Sequence, residues 1–263
     1  VDTGADIEVV NKYDDNGRLT FSGPFKAGVP VGIHREYSEN GSIKGARIYN
    51  DNGLLISEGI VDAAGNRNGV WKDFSPEGVV TAEGSYADNR RTGPWKFYSQ
   101  SGKMEQAGSY SNGRIEGTWR WYYPEGELLR EEDYAQGRRD GKYTEYTREG
   151  AIIAQGNYAD GERNGEWNLR TGDNTEAGNY LLGFRDGPWK AYYANGKLRF
   201  RGSYNQGSPT GHHILYYENG RIKEERYYEN GLRAKTWKKY NEEGEVVLTI
   251  TYRDDIETNI NGV

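Results

Sequence analysis

Glycine returns to the same place in this chain every 24 residues. It stands at Gly69, Gly93, Gly117, Gly141 and Gly165, then after a step of 22 at Gly187, and after a further 24 at Gly211. Gly32 leads the series, 37 residues before Gly69. A fixed period of this length marks a tandem-repeat architecture, in which each unit is too small to bury its own apolar face and does so against its neighbours. With these glycines as anchors, and Glu8 and Lys235 as degenerate anchors at either end, residues 1–263 read as a single repeat domain of about ten units. An irregular start covers 1–9 and a polar tail covers 254–263.

Each unit is filled in the same way. Two residues after the anchor stands a ring: Trp71, Trp95, Trp119, Tyr143, Trp167, Trp189 and Trp237. Another stands five after it, as in Tyr98, Tyr122, Tyr192 and Tyr216, and a glycine follows four residues later, as in Gly102 and Gly196. Then comes a second ring, as in Tyr86, Tyr110 and Tyr204. Aromatic runs of five to seven residues between Gly and Asn punctuation read as strands joined by tight turns, with glycine supplying the positive φ. No segment carries helical apolar spacing over three turns. The 22-residue step is explained by a shorter turn at Arg170-Thr171-Gly172, and the 37-residue step by half a unit added around Tyr49 to Gly53.

The fold this predicts is all-β: an elongated, twisted, single-layer antiparallel meander of tandem 24-residue hairpins, solenoid-like, with about twenty strands. An open sheet of that length has to twist into a ribbon, and a closed barrel is the alternative. If Asn195-Gly196 and its equivalents are two-residue turns, Trp189 falls opposite Gly202, Trp95 opposite Gly108 and Trp71 opposite Gly84. A ring lying over a glycine covers exposed backbone and accounts for both residues at once.

Hydrophobic residues make up only 34% of the chain, which leaves little for a deep aliphatic core. The 22 Tyr and 7 Trp compensate, because each packed ring buries roughly 150–250 Å². There is no cysteine, so disulfides and thiolate metal sites are excluded. No apolar run reaches the length of a membrane helix. The formal net charge of -6 argues against nucleic acid as a partner. A first residue of Val1 and a single methionine, Met104, fit either removal of an export signal or a trimmed boundary. This favours a periplasmic or cell-surface location slightly over the cytoplasm.

Segments such as Gly187-Pro-Trp-Lys-Ala-Tyr-Tyr-Ala-Asn-Gly196 and Gly211-His-His-Ile-Leu-Tyr-Tyr-Glu-Asn-Gly220 resemble MORN-type repeats. They are closest to the bacterial MORN variant, with its G-x-W-x-x-Y-x-x-x-G core, and the likeness runs from about Tyr13 to Tyr252. The resemblance implies elongated antiparallel hairpin sheets that serve as protein- or lipid-associating modules. Some bacterial members are labelled antitoxin components. It supplies no catalytic motif. The departures are His34 and His213 in the Trp slot, Arg170 near the shortened turn, and the half-unit insertion.

The residues offer no enzyme either. His212 and His213 are adjacent, so on a strand they point to opposite faces and cannot chelate one ion together. Turn carboxylates such as Asp14, Asp15, Glu242 and Glu243 form no distinct acid–base pair, and the Asp14 to Gly17 turn lacks the oxygens of a calcium site. No cofactor or metal is expected. A cation recurs three residues after the anchor, at Arg35, Lys72, Lys96, Arg120, Lys190 and Lys238, on the same strand parity as the ring five after it. One face is therefore expected to carry cations beside rings. These either shield one another or form a groove for an extended ligand. The leading expectation is a non-enzymatic protein-binding scaffold that uses these cations and rings together with the Trp series. The alternatives are binding of cell-envelope polysaccharide or another anionic polymer, and an antitoxin role by family label. Unpaired end strands near Val9 and Tyr252 are expected to admit a partner strand or a second copy.

Overall fold

The computed structural model describes residues 6–262, which hold twenty-three strands and, among the described residues, no helix. The chain divides into two compact parts. One runs to Leu129 and takes in Tyr134–Gly137; the other is Arg130–Asp133 with everything from Arg138 on. The division falls within the strand Leu128–Ala135.

In the first part, long strands from Ile7–Tyr13 to Arg114–Tyr122 pair antiparallel, each with the next. The short Val29–Pro30 pairs with the end of Leu19–Lys26. In the second part the same succession runs from Arg138–Tyr146 to Ile256–Gly262. The stretch expected as a polar tail is thus largely strand: Ile256–Gly262 pairs with Val246–Arg253. Residues 1–5 of the irregular start lie outside the described residues.

Two kinds of turn alternate. At Asn112-Gly113 both residues have positive φ, +50° and +80°, and they join Ser111 directly to Arg114. That is a two-residue type I′ turn, whose twist matches that of the flanking strands. At Asn195-Gly196 the loop is one residue longer than expected. Tyr193 N–H donates to Lys197 O at 2.9 Å, Gly196 N–H donates to Tyr193 O at 2.9 Å, and Gly196 sits at φ +79°. This is a three-residue loop closed by a glycine bulge. The bulge shifts the register once, between Ala191 and Tyr192, so Trp189 still faces Gly202. Trp95 likewise faces Gly108, and Trp71 faces Gly84. The 22-residue step has the cause expected: Gly172-Asp173 alone joins Thr171 to Asn174.

The anchor glycines sit inside strands of eight to ten residues in most repeats, as Gly93 does in Arg90–Tyr98, and not at turns. Gly93 has φ +62°, and with Pro94 it forms two extra residues: Gly84 pairs with Trp95, but the next pair is Ser85 with Thr92. The anchor is a bulge on the side of the preceding strand, which explains why glycine recurs there.

The half-unit insertion is one strand. Ile43–Tyr49 and Leu55–Val61 are joined by a turn in which Asn50 N–H donates to Leu54 O at 3.0 Å. One strand more in a meander reverses the direction of every later strand. It also exchanges faces. His34 stands in register with Arg47, Arg47 with Glu58, and Glu58 with Lys72, so all four share a face. Trp71, next to Lys72, points the other way. His34 and Trp71 occupy the same slot in the repeat and lie on opposite sides of the sheet.

Candidate functional site

Each repeat has a face built from its rings. Trp71, Trp95, Trp119, Trp167 and Trp189 are 0–3% exposed. Trp95 lies over Gly84, Trp119 over Gly108, Trp167 over Gly156 and Trp189 over Gly178, so closely that a Cβ at any of these glycines would overlap the indole. The glycine covered belongs to the preceding strand, whereas the sequence reading placed the ring over the following one. Both glycines are in register with the indole, and the bulge decides between them. It opens the ladder on the preceding side and frees a carbonyl, which the indole N–H takes. Trp95 Nε1 donates to Ser85 O at 3.0 Å, Trp119 to Ser109 O at 3.1 Å, Trp167 to Asn157 O at 3.0 Å and Trp189 to Asn179 O at 3.0 Å. Trp237 is half-buried and bonds Tyr227 O in the same way.

The two histidines in the Trp slot do the same work. His34 Nε2 is 2.8 Å from Pro24 O, and His213 Nε2 is 2.8 Å from Ser203 O. Each ring covers a glycine, Gly23 or Gly202. Burial pushes the His213 pKa below its ordinary value, so the ring is neutral at pH 7 and Nε2 carries the proton that the Ser203 carbonyl accepts.

The second ring packs edge-on to two indoles: Tyr110 meets Trp95 at 6.0 Å and Trp119 at 5.2 Å between centroids. An arginine two residues before the anchor closes the arrangement. Arg67, Arg91, Arg163 and Arg185 place their guanidinium carbons 4.1–4.5 Å from the indole centroids of their own repeats. Arg91 and Arg163 also donate to Tyr110 and Tyr180 hydroxyls at 3.2 Å. This is the cation ladder that touches the rings, and the sequence reading passed over it. Its signal was present, because arginine recurs at 67, 91, 139, 163, 185 and 233 with the period of the anchors.

The predicted cations three after the anchor lie on the other face. Lys72, Lys96, Arg120, Lys190 and Lys238 are exposed, and Arg35 is half-buried. Tyr98, Tyr122, Tyr192 and Tyr216 are half-buried. Lys96 and Tyr98 share this face as parity required, and Glu83 joins them: it accepts from Tyr98 Oη at 2.6 Å and stands 3.7 Å from Lys96 Nζ. Burial together with the Glu83 hydrogen bond pushes the Tyr98 pKa up to about 12. Glu225 plays the same part for Tyr240 at 3.3 Å, and it stands 3.5 Å from His212, which stacks on Tyr227. The turn carboxylate Asp14 is held by its own loop, accepting from the Asn16 and Arg18 amides at 2.9 Å. Among the described residues no three His, Asp or Glu side chains are grouped to hold a metal ion.

The geometry defines a class of protein: tandem β-hairpins in which the ring of most repeats is locked over a glycine of the strand before it. Five of the repeats match the family model for the MORN repeat variant, over residues 67–88, 91–112, 115–136, 185–206 and 209–230. Each match begins two residues before an anchor, at the arginine position of the ring face or its equivalent. The chain carries repeats of the MORN variant over these residues. No curated protein matches it. Solved structures that align with it include the crystal structure of TcdB2-TccC3, at 13% identity over 95% of this chain and 17% of that chain, with a TM-score of 0.19. Another is that of TcdB2-TccC3-Cdc42, at 12% identity over 94% of this chain and 17% of that chain, with a TM-score of 0.18. The chain spans less than a fifth of the length of those it aligns with. No helix among the described residues is long and apolar enough to cross a membrane.

Proposed function

We propose that this chain is a non-enzymatic repeat scaffold that binds a protein partner on the faces opposite its packed indoles. The burial of the indoles carries the reading. Trp95, Trp119 and Trp189 are 1–3% exposed and their N–H groups are bonded to backbone, so they have no open ring for a sugar to stack on. The side chains left for recognition are the half-buried tyrosines and exposed cations and carboxylates of the other face, set on a rigid ladder at a spacing of about 4.8 Å between strands. Flat, mixed-charge surfaces with tyrosine suit protein partners better than a small-molecule cleft does. Affinity capture with the intact chain tests this against a Tyr98→Ala/Tyr192→Ala/Tyr216→Ala variant whose circular dichroism is unchanged. A protein retained by the parent and lost by the variant supports the reading. Retention of the same protein by both, or of polysaccharide in its place, overturns it.

A further inference from the structure

The row of open-face residues in register across the strands sets opposite charges against each other in several described pairs and like charges in one. In the first part it reads Glu58, Lys72, Glu83, Lys96, with each charge opposite its counter-charge. In the second part it reads Ala177, Lys190, Arg201, Ile214, Glu225, Lys238. Lys190 and Arg201 are directly opposed, and both are exposed. Arg201 stands where other repeats place Glu83 or Glu225. Like charges directly across a ladder destabilise it, and Cβ atoms so placed are only about 4.5–5.5 Å apart. Neither side chain has an ion-pair partner among the described residues. Their neighbours in register, Ala177 and Ile214, are uncharged, and two residues along the strands on either side stand Pro188 and Tyr192, and Arg199 and Ser203. The nearest carboxylate in the row, Glu225, is already engaged by His212 and Tyr240.

We infer that Lys190 and Arg201 form an anion-binding subsite that receives the carboxylates of an acidic segment of a protein partner, with the Tyr192 ring as its apolar border. The inference rests on the scaffold reading above and names the chemistry of the partner it would hold. Charge complementarity supports it. Two adjacent cations fixed on a sheet suit two closely spaced carboxylates, and a bound acid would supply the counter-charge that Lys72, Lys96 and Lys238 face within the chain.

The test uses the intact chain and a fluorescein-labelled peptide of alternating Glu and Gly, followed by anisotropy at low and at physiological salt. The parent is expected to bind the peptide. Arg201→Glu is expected to weaken binding by about tenfold or more while leaving the melting temperature unchanged or higher, because it recreates the Lys–Glu pairing of the other repeats. Arg201→Gln serves as a milder variant with the same direction. Lys96→Glu, at a position already neutralised by Glu83, is expected to change binding less than about twofold. Equal loss in Lys96→Glu and Arg201→Glu, or binding of a sulfated polysaccharide but not the peptide, overturns the inference. If the peptide fails to bind while the parent still retains a protein through its open-face tyrosines, this subsite falls and the scaffold reading stands.

Discussion

At the scale of the residue, one slot accepts either an indole or an imidazole because the job is the same: cover a glycine and donate one N–H to the carbonyl freed by the bulge. The substitution has a cost that depends on pH. An indole cannot be protonated, but His213 can, and burial holds its pKa below the ordinary histidine value of 6.5. The unfolded chain therefore takes up this proton first, and stability is lost as pH falls from the ordinary histidine range towards the depressed folded value. Above that range the contribution is complete. Thermal melts between pH 7.5 and about pH 5.5 are expected to show a fall in midpoint that His213→Trp reduces. An equal fall in both proteins would place the effect elsewhere.

At the scale of the element, two of the type I′ turns lack a polar side chain at their first position, Ala27-Gly28 and Leu182-Gly183. Most place Asn, Asp or Gln at the first positive-φ position, as in Asn112, Asp160 and Gln206. The turn Leu182-Gly183 places a leucine there at φ +50°, 69% exposed. A left-handed conformation costs an ordinary L-residue roughly 1–2 kcal/mol and asparagine less. Leu182→Asn is expected to stabilise the protein by about 0.5–1 kcal/mol, read as a higher urea midpoint at unchanged slope. A lower midpoint would mean that the leucine is held by packing the turn does not reveal. The turns were the most legible elements of all, since Asn-Gly and its relatives state their φ requirement in their chemistry. The loops at Gly102 and Gly196 were read one residue too short. A glycine bulge and a two-residue turn call for the same Asn-Gly letters, and only the hydrogen bonds across the loop tell them apart.

At the scale of the whole molecule, each repeat leans on the one before it and on little else, so damage is expected to stay local. Trp167 is fully buried, and Trp167→Ala is expected to cost about 3–5 kcal/mol. In a nearest-neighbour system that loss falls on the strands around the cavity. Hydrogen exchange is expected to speed up in Ile152–Ala159, Glu162–Thr171 and Asn174–Leu181 while Leu232–Tyr240 and Val246–Arg253 keep their protection. Uniform loss of protection across all of these strands would contradict the nearest-neighbour picture. The insertion near Tyr49 is the opposite case. It is a local change with a distant result, because parity is passed from strand to strand and one added strand inverts every ring face after it.

The amino-acid order by itself determined the period, the strands, most of the turns and the residues that stand opposite each Trp, because strand parity and glycine punctuation are one-dimensional properties. Three things were decided only in three dimensions: which of two flanking glycines each indole covers, which of two periodic cations touches the rings, and the exchange of faces at the insertion. All three follow from the bulge and the pairing of strands. A bulge opens one side of a ladder and leaves the other closed, and nothing in the spacing of letters distinguishes the two sides.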